Sequence, residues 1–68
     1  MIKLGMYKHY KGNIYKVIAT ATHTETGESM VVYRAVDNPD KIWVRPESMW
    51  QETVNGVPRF KHLNREKR

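Results

Sequence analysis

Apolar and polar residues alternate with period two along much of this chain, and the helical period of 3.6 is almost absent. The clearest run spans residues 14 to 22. Tyr15, Val17, Ala19 and Ala21 share one face there, while Ile14, Lys16, Ile18 and Thr20 share the other, so the run reads as a strand. A short first strand or arm over Gly5 to Tyr10 precedes it, broken by Lys11-Gly12-Asn13, where Gly and Asn tolerate the positive φ of a tight turn. Glu25-Thr26-Gly27-Glu28 is the next turn and Met30 to Val36 the next strand, which predicts a long antiparallel hairpin. Asp37-Asn38-Pro39-Asp40 reads as a breaker before a fourth strand over Ile42 to Arg45. Pro46 suits the first position of a helical turn, and Pro-Glu-Ser-Met-Trp is long enough to drop Met49 or Trp50 onto an open barrel end. Val54-Asn55-Gly56-Val57 is a further hairpin signal. Five or six short strands with one helical turn predict an all-β domain, closed as a small SH3-like barrel that limits exposed sheet edges.

The faces of that barrel depend on the register of the long hairpin. A two-residue loop at Thr26-Gly27 would oppose Ala21 to Val32 and turn Met30, Val32 and Val36 inward, with Arg34 on the same side. A three-residue loop would oppose Ala21 to Val31 and Ala19 to Tyr33, and the faces exchange. Both registers are open. On the fourth strand the pattern points Ile42 and Val44 inward and Trp43 and Arg45 the other way, and the small alanines of the second strand suggest another element packed closely over them.

With 68 residues, the chain makes one domain that buries only about 60% of its unfolded surface, so every large apolar group counts. It has no cysteine, which removes disulfides and thiolate metal sites and sits comfortably with a reducing cytoplasm. The first residues lack the apolar core of a signal peptide, and no membrane-length apolar run occurs, which predicts a soluble cytoplasmic protein with no membrane partner. The net charge of +5 is unevenly placed. Residues 1 to 24 carry Lys3, Lys8, Lys11 and Lys16 and no acid; the middle of the chain is acidic; residues 59 to 68 are basic again. The domain is expected to occupy residues 1–60, with 61–68 as a basic, solvated tail that includes His62.

The motifs Gly5-x-Tyr7-x-His9-Tyr10-Lys11-Gly12-x-x-Tyr15, His23-Thr24-Glu25-Thr26, Val31-Val32-Tyr33-Arg34, Trp43-Val44-Arg45-Pro46 and Met49-Trp50 occur together between residue 5 and about residue 60. In that combination the chain resembles a family of short bacterial and phage proteins known only as a domain of unknown function, in which Phe often stands where this chain has Trp50. The resemblance implies a compact β fold and a bacterial or phage origin, and it carries no activity with it.

The candidate chemistry is correspondingly narrow. His9, His23 and His62 lie 14 and 39 residues apart, without His-x-x-x-His or Cys-x-x-Cys spacing, so no metal and no cofactor is expected. The commoner role for His23 and His9 is a ring packed at the barrel mouth and bonded to a neighbour. Ser29 and Ser48 have no partner motif for nucleophilic catalysis, and Glu25 and Glu28 flank a solvated turn, so the chain does not read as an enzyme. Binding has better support. Trp43 and Arg45 alternate onto one face, Tyr33 or Arg34 comes from the adjacent strand, and His9, Tyr10 and His23 stand at the rim. Aromatic rings stack on bases, and arginine both stacks and forks onto phosphate, so these residues suit single-stranded nucleic acid, RNA or a nucleotide. Equally, Arg34 and Arg45 could pair with Asp37, Glu47 or Glu52 while Trp43 covers a thin barrel. The same face could instead dock a protein partner or a second copy of the chain.

Overall fold

In the computed structural model, residues 2–63 are described. Seven strands and one helical turn follow in the order β1 (Gly5–His9), β2 (Ile14–Thr22), β3 (Ser29–Ala35), β4 (Asn38–Pro46), α1 (Glu47–Trp50), β5 (Thr53–Val54), β6 (Val57–Pro58) and β7 (Phe60–His62). Five of the strands form one antiparallel sheet in the order β4-β3-β2-β1-β7, and β5 with β6 makes a separate two-stranded ribbon. The all-β class expected from the alternation stands. So does the second strand, from Ile14 to Thr22.

The sheet is strongly curled. If it were flat, four interstrand spacings would hold β4 about 19 Å from β7. Instead the guanidinium carbon of Arg45 on β4 lies 5.7 Å from the centre of the Phe60 ring on β7. The space enclosed is filled by Tyr7, Val17, Val31, Tyr33, Trp50 and Phe60, with Ile2 and Tyr15 packed against them. Four of those six are aromatic, because a chain this short fills its core best with a few wide rings. Trp50, only 1% exposed, comes from α1 and closes the open side of the curl. Its ring lies parallel to Phe60 with centroids 3.6 Å apart and meets Tyr33 and Tyr7 edge-on. Met49, the alternative residue for this position, points to solvent.

Two expectations of register are corrected. Thr22 pairs with Ser29, so the β2–β3 loop holds the six residues 23–28, longer than either loop considered. Ala21 opposes Met30, and a bulge at Ile18 shifts the ladder. Below the bulge Tyr15 and Val17 share the concave face; above it Ala19 passes to the convex side with its partner Val32, and Ala21 is exposed rather than covered. The loop is set by a side chain that spacing does not weigh: His23 Nδ1 accepts from the backbone N–H groups of Glu25 at 3.2 Å and Thr26 at 3.4 Å, and the His23 backbone N–H donates to Glu28 O.

The second correction concerns β4. Tyr33 pairs with Trp43 and Val31 with Arg45, and directly opposed residues share a face, so Trp43 and Arg45 point to the concave side. Ile42 and Val44 are the outward pair, 62% and 58% exposed. The strand also begins earlier than expected. The turn is Val36-Asp37, Ala35 pairs with Asn38, and Pro39-Asp40-Lys41 bulge out before Ile42 meets Arg34. A proline that cannot donate to the ladder is accommodated in such a bulge.

At the far end, Tyr7 pairs with His62 and Lys8 with Lys61, and Leu63 N–H donates to Met6 O. The sheet therefore includes Lys61 and His62, which the sequence assigns to the tail; residues 64–68 of that tail lie outside the described residues. The Asn55-Gly56 hairpin is as read, with both residues at positive φ between the paired Val54 and Val57.

Candidate binding cleft

The curl brings β4 over the concave face, and there Tyr15, Tyr33, Ala35, Asn38, Trp43 and Arg45 line an open cleft of about 260 Å3. Each comes from a cross-strand pairing already described. Tyr15 pairs with Ala35, Ala35 with Asn38, and Tyr33 with Trp43, so five positions on three strands converge without any long loop. Tyr33 is a core ring whose hydroxyl reaches the cleft, where it accepts a long 3.5 Å hydrogen bond from Arg45 Nε. Trp43 is 48% exposed, with Lys41 Nζ 5.9 Å from its ring centre. Arg45 is half-buried, its stem against the core and its guanidinium near Phe60.

The structural alternative for Arg45 was an ion pair with a nearby carboxylate. Among the described residues it has none: Glu52 pairs with Arg59 at 3.1 Å instead. Positive charge thus stands in the cleft beside exposed aromatic surface. The same field reaches His9, whose imidazole is held below its ordinary pKa of 6.5 by burial first and then by Arg59, Lys11 and Arg45. Its Nδ1 already accepts from Lys11 N–H at 3.2 Å, which also favours the neutral ring.

Of the residues singled out by sequence, Tyr33, Trp43 and Arg45 come together. His9 touches the edge of the cluster, its ring 6.2 Å from Tyr15 and 4.9 Å from Phe60, and Tyr10 follows at 4.6 Å from His9. Arg34 does not join them. It lies on the convex face with Met6, Lys16, Val36 and Pro39, as its pairing with Lys16 and Ile42 requires. His23 is apart as well, bonded within its own loop. Tyr15 and Asn38 are cleft residues that sequence reasoning missed. Tyr15 carried a signal, being on the Val17 face; Asn38 carried none, because it read as part of a turn. Among the described residues no group of three or more His, Asp or Glu side chains converges, and no helix is long and apolar enough to cross a membrane.

A curled five-stranded sheet with an aromatic core and a cleft that holds Arg45 defines a small all-β domain. The chain belongs to the family described as "Protein of unknown function (DUF1653)", which matches residues 5–62. It is similar to a protein of that family from Bordetella bronchiseptica, whose crystal structure superposes with a TM-score of 0.81 at 31% identity over 98% of this chain and 94% of that one. No curated protein matches it.

Proposed function

We propose that the chain is a non-catalytic binding module for an anionic, aromatic ligand. The unit it holds is a planar base with its phosphate, as presented by single-stranded nucleic acid, RNA or a free nucleotide, in the reducing cytoplasm that suits a chain without cysteine. What carries the reading is the convergence, in one cleft, of half-exposed Trp43 with Arg45, which has no carboxylate partner among the described residues. The indole and the Tyr15 and Tyr33 rings supply stacking surface, Arg45 supplies the charge for a phosphate, and the Asn38 amide supplies a donor and an acceptor for a base edge.

The test is an amide-resolved NMR titration with a short mixed-sequence single strand and with nucleotides, at low and at moderate salt. Shifts at Tyr15, Tyr33, Trp43 and Arg45 are expected. Trp43→Ala should weaken binding by about 1–3 kcal/mol, the worth of one base stack. Unchanged binding in the folded Trp43→Ala, Arg45→Ala double variant would remove the site.

A second reading rests on the convex face, where exposed Ile42 and Val44 lie on the edge strand β4. An apolar edge is a surface on which a protein partner or a second copy can dock. Light scattering separates the two readings: a concentration-dependent dimer that is insensitive to salt favours the interface, and a persistent monomer counts against the second-copy form.

A further inference from the structure

Two basic residues far apart in sequence, Lys8 and Lys61, become neighbours in the fold. Because β1 pairs with β7, Lys8 lies directly opposite Lys61. Like charges in that position repel and cost stability. No acid on the adjoining strands relieves them, since β1, β2 and β7 contain no Asp or Glu, and among the described residues neither lysine forms an ion pair. Beside this pair is a second cleft, of about 170 Å3, lined by Lys8, His9, Tyr10, Val57, Pro58 and Lys61. Its lining is two cations, two rings and two apolar residues, and no carboxylate. Tyr10 is 41% exposed, and Lys11 Nζ stands 5.8 Å from its ring centre.

Lys8 also pairs with Ile14, so Lys8 and Lys61 project from the convex side, and the second cleft approaches the first at His9, which lines the second and neighbours Tyr15 of the first. Tyr33 stands 5.6 Å from Tyr15, Tyr15 stands 6.2 Å from His9, and His9 stands 4.6 Å from Tyr10. Positive charge flanks the path, since Arg45, Arg59 and Lys11 all act on the His9 ring midway along it. A mononucleotide placed against Trp43 leaves the Lys8–Lys61 repulsion and the Tyr10 ring untouched. A ligand with two bases and a phosphodiester between them answers both.

We propose that the cleft of Lys8, Tyr10, Pro58 and Lys61 is a second nucleotide subsite, so that the ligand is a single strand of two or more linked nucleotides rather than a free nucleotide. Tyr10 and Pro58 are the stacking surfaces, and Lys8 and Lys61 hold the phosphate between them. The inference rests on the reading of the first cleft as a base-and-phosphate site.

The experiment compares, on the full chain at low salt, the affinities of AMP, the phosphorylated dinucleotide of adenosine, its deoxy counterpart and a short mixed-sequence single strand, with amide shifts recorded for each. The dinucleotide should bind roughly 5- to 150-fold more tightly than AMP, the worth of one further base stack, with new shifts at Tyr10, Val57 and Lys61. Tyr10→Ala should bring the ratio of dinucleotide to AMP affinity close to one. Lys61→Gln, an exposed and conservative change, should lower the slope of log affinity against log salt by about 0.7, the share of one phosphate contact to a single strand. Equal affinities for AMP and dinucleotide, with shifts confined to Tyr15, Tyr33, Trp43 and Arg45, would overturn the second subsite and leave the first cleft standing. A dinucleotide advantage that survives both substitutions would also overturn it. If neither AMP nor any strand binds, the reading of the first cleft fails and takes this one with it. The ribose and deoxyribose arms then say which strand the path accepts.

Discussion

His9 concentrates several effects on one ring. It is partly buried between Phe60 and Tyr10, its Nδ1 accepts a backbone hydrogen bond, and three cationic side chains act on it, with burial the largest of the causes that lower its pKa. The unfolded chain therefore binds a proton at this ring more readily than the folded one. By linkage, the stabilising contribution is present above the ordinary histidine pKa and is lost as pH falls through about 6.5 toward the lower folded value. Urea midpoints at pH about 7 and about 5.5 should differ less in His9→Gln than in the parent. An equal pH dependence in both proteins would show that this ring is not the linked group. An anion bound nearby offsets the cations, so AMP should move the His9 titration midpoint upward, which proton NMR reads directly. Tyr7 behaves in the opposite sense: burial raises its phenol above the ordinary 10.0 while its hydroxyl donates to Lys3 O, so its contribution holds at neutral pH and disappears only in strong alkali.

Among the elements, α1 is the shortest for what it does. One turn after Pro46 delivers Trp50 into contact with Tyr7, Tyr33 and Phe60, on three strands of the sheet. Trp50→Ala should cost about 3–5 kcal/mol. For 68 residues at roughly 0.05–0.15 kcal/mol each, that is comparable with the whole stability of the fold. Trp50→Phe should be tolerated far better. It keeps a ring against Phe60, and it removes a buried indole N–H that has no partner among the described residues, a group whose burial costs about 1–3 kcal/mol. Thermal unfolding of the two variants checks the order, and equal losses would show that ring volume alone sets the cost. The existence of this turn was legible from Pro46 and the Met49-Trp50 pair. Which of the two would be buried was not, since only the position of β3 and β7 selects Trp50.

For the molecule as a whole, the pairing of β1 with β7 brings Tyr7–His9 beside Phe60–His62. A protein ending at Phe60 loses the Tyr7–His62 and Lys8–Lys61 pairs and the bond from Leu63 to Met6. It should melt below one ending at Leu63, by about 4–8 °C for each kcal/mol those contacts contribute. Equal melting temperatures would show that these contacts add nothing to stability. This pairing also changes the electrostatics: Lys8 and Lys61, 53 residues apart in sequence, become direct neighbours next to a cleft that sequence could not outline.

What local sequence determined here is the kind of structure: period-two alternation for strands, Asn-Gly for the last hairpin, Pro46 for the helical turn, and the aromatic and arginine residues from which a cleft could be built. Those signals are local because backbone preference and side-chain alternation act over a few residues. Only the tertiary structure decided the faces. The His23 loop, the bulge at Ile18 and the bulge at Pro39 each shift a ladder, and every such shift exchanges the residues that point inward. That is why Ile42 and Val44 turned out and Trp43 and Arg45 turned in, and why Tyr33 rather than Arg34 meets them. The curl that sets Arg45 near Phe60 and the pairing that sets Lys8 opposite Lys61 join residues far apart in sequence, through packing around rings that no local pattern encodes.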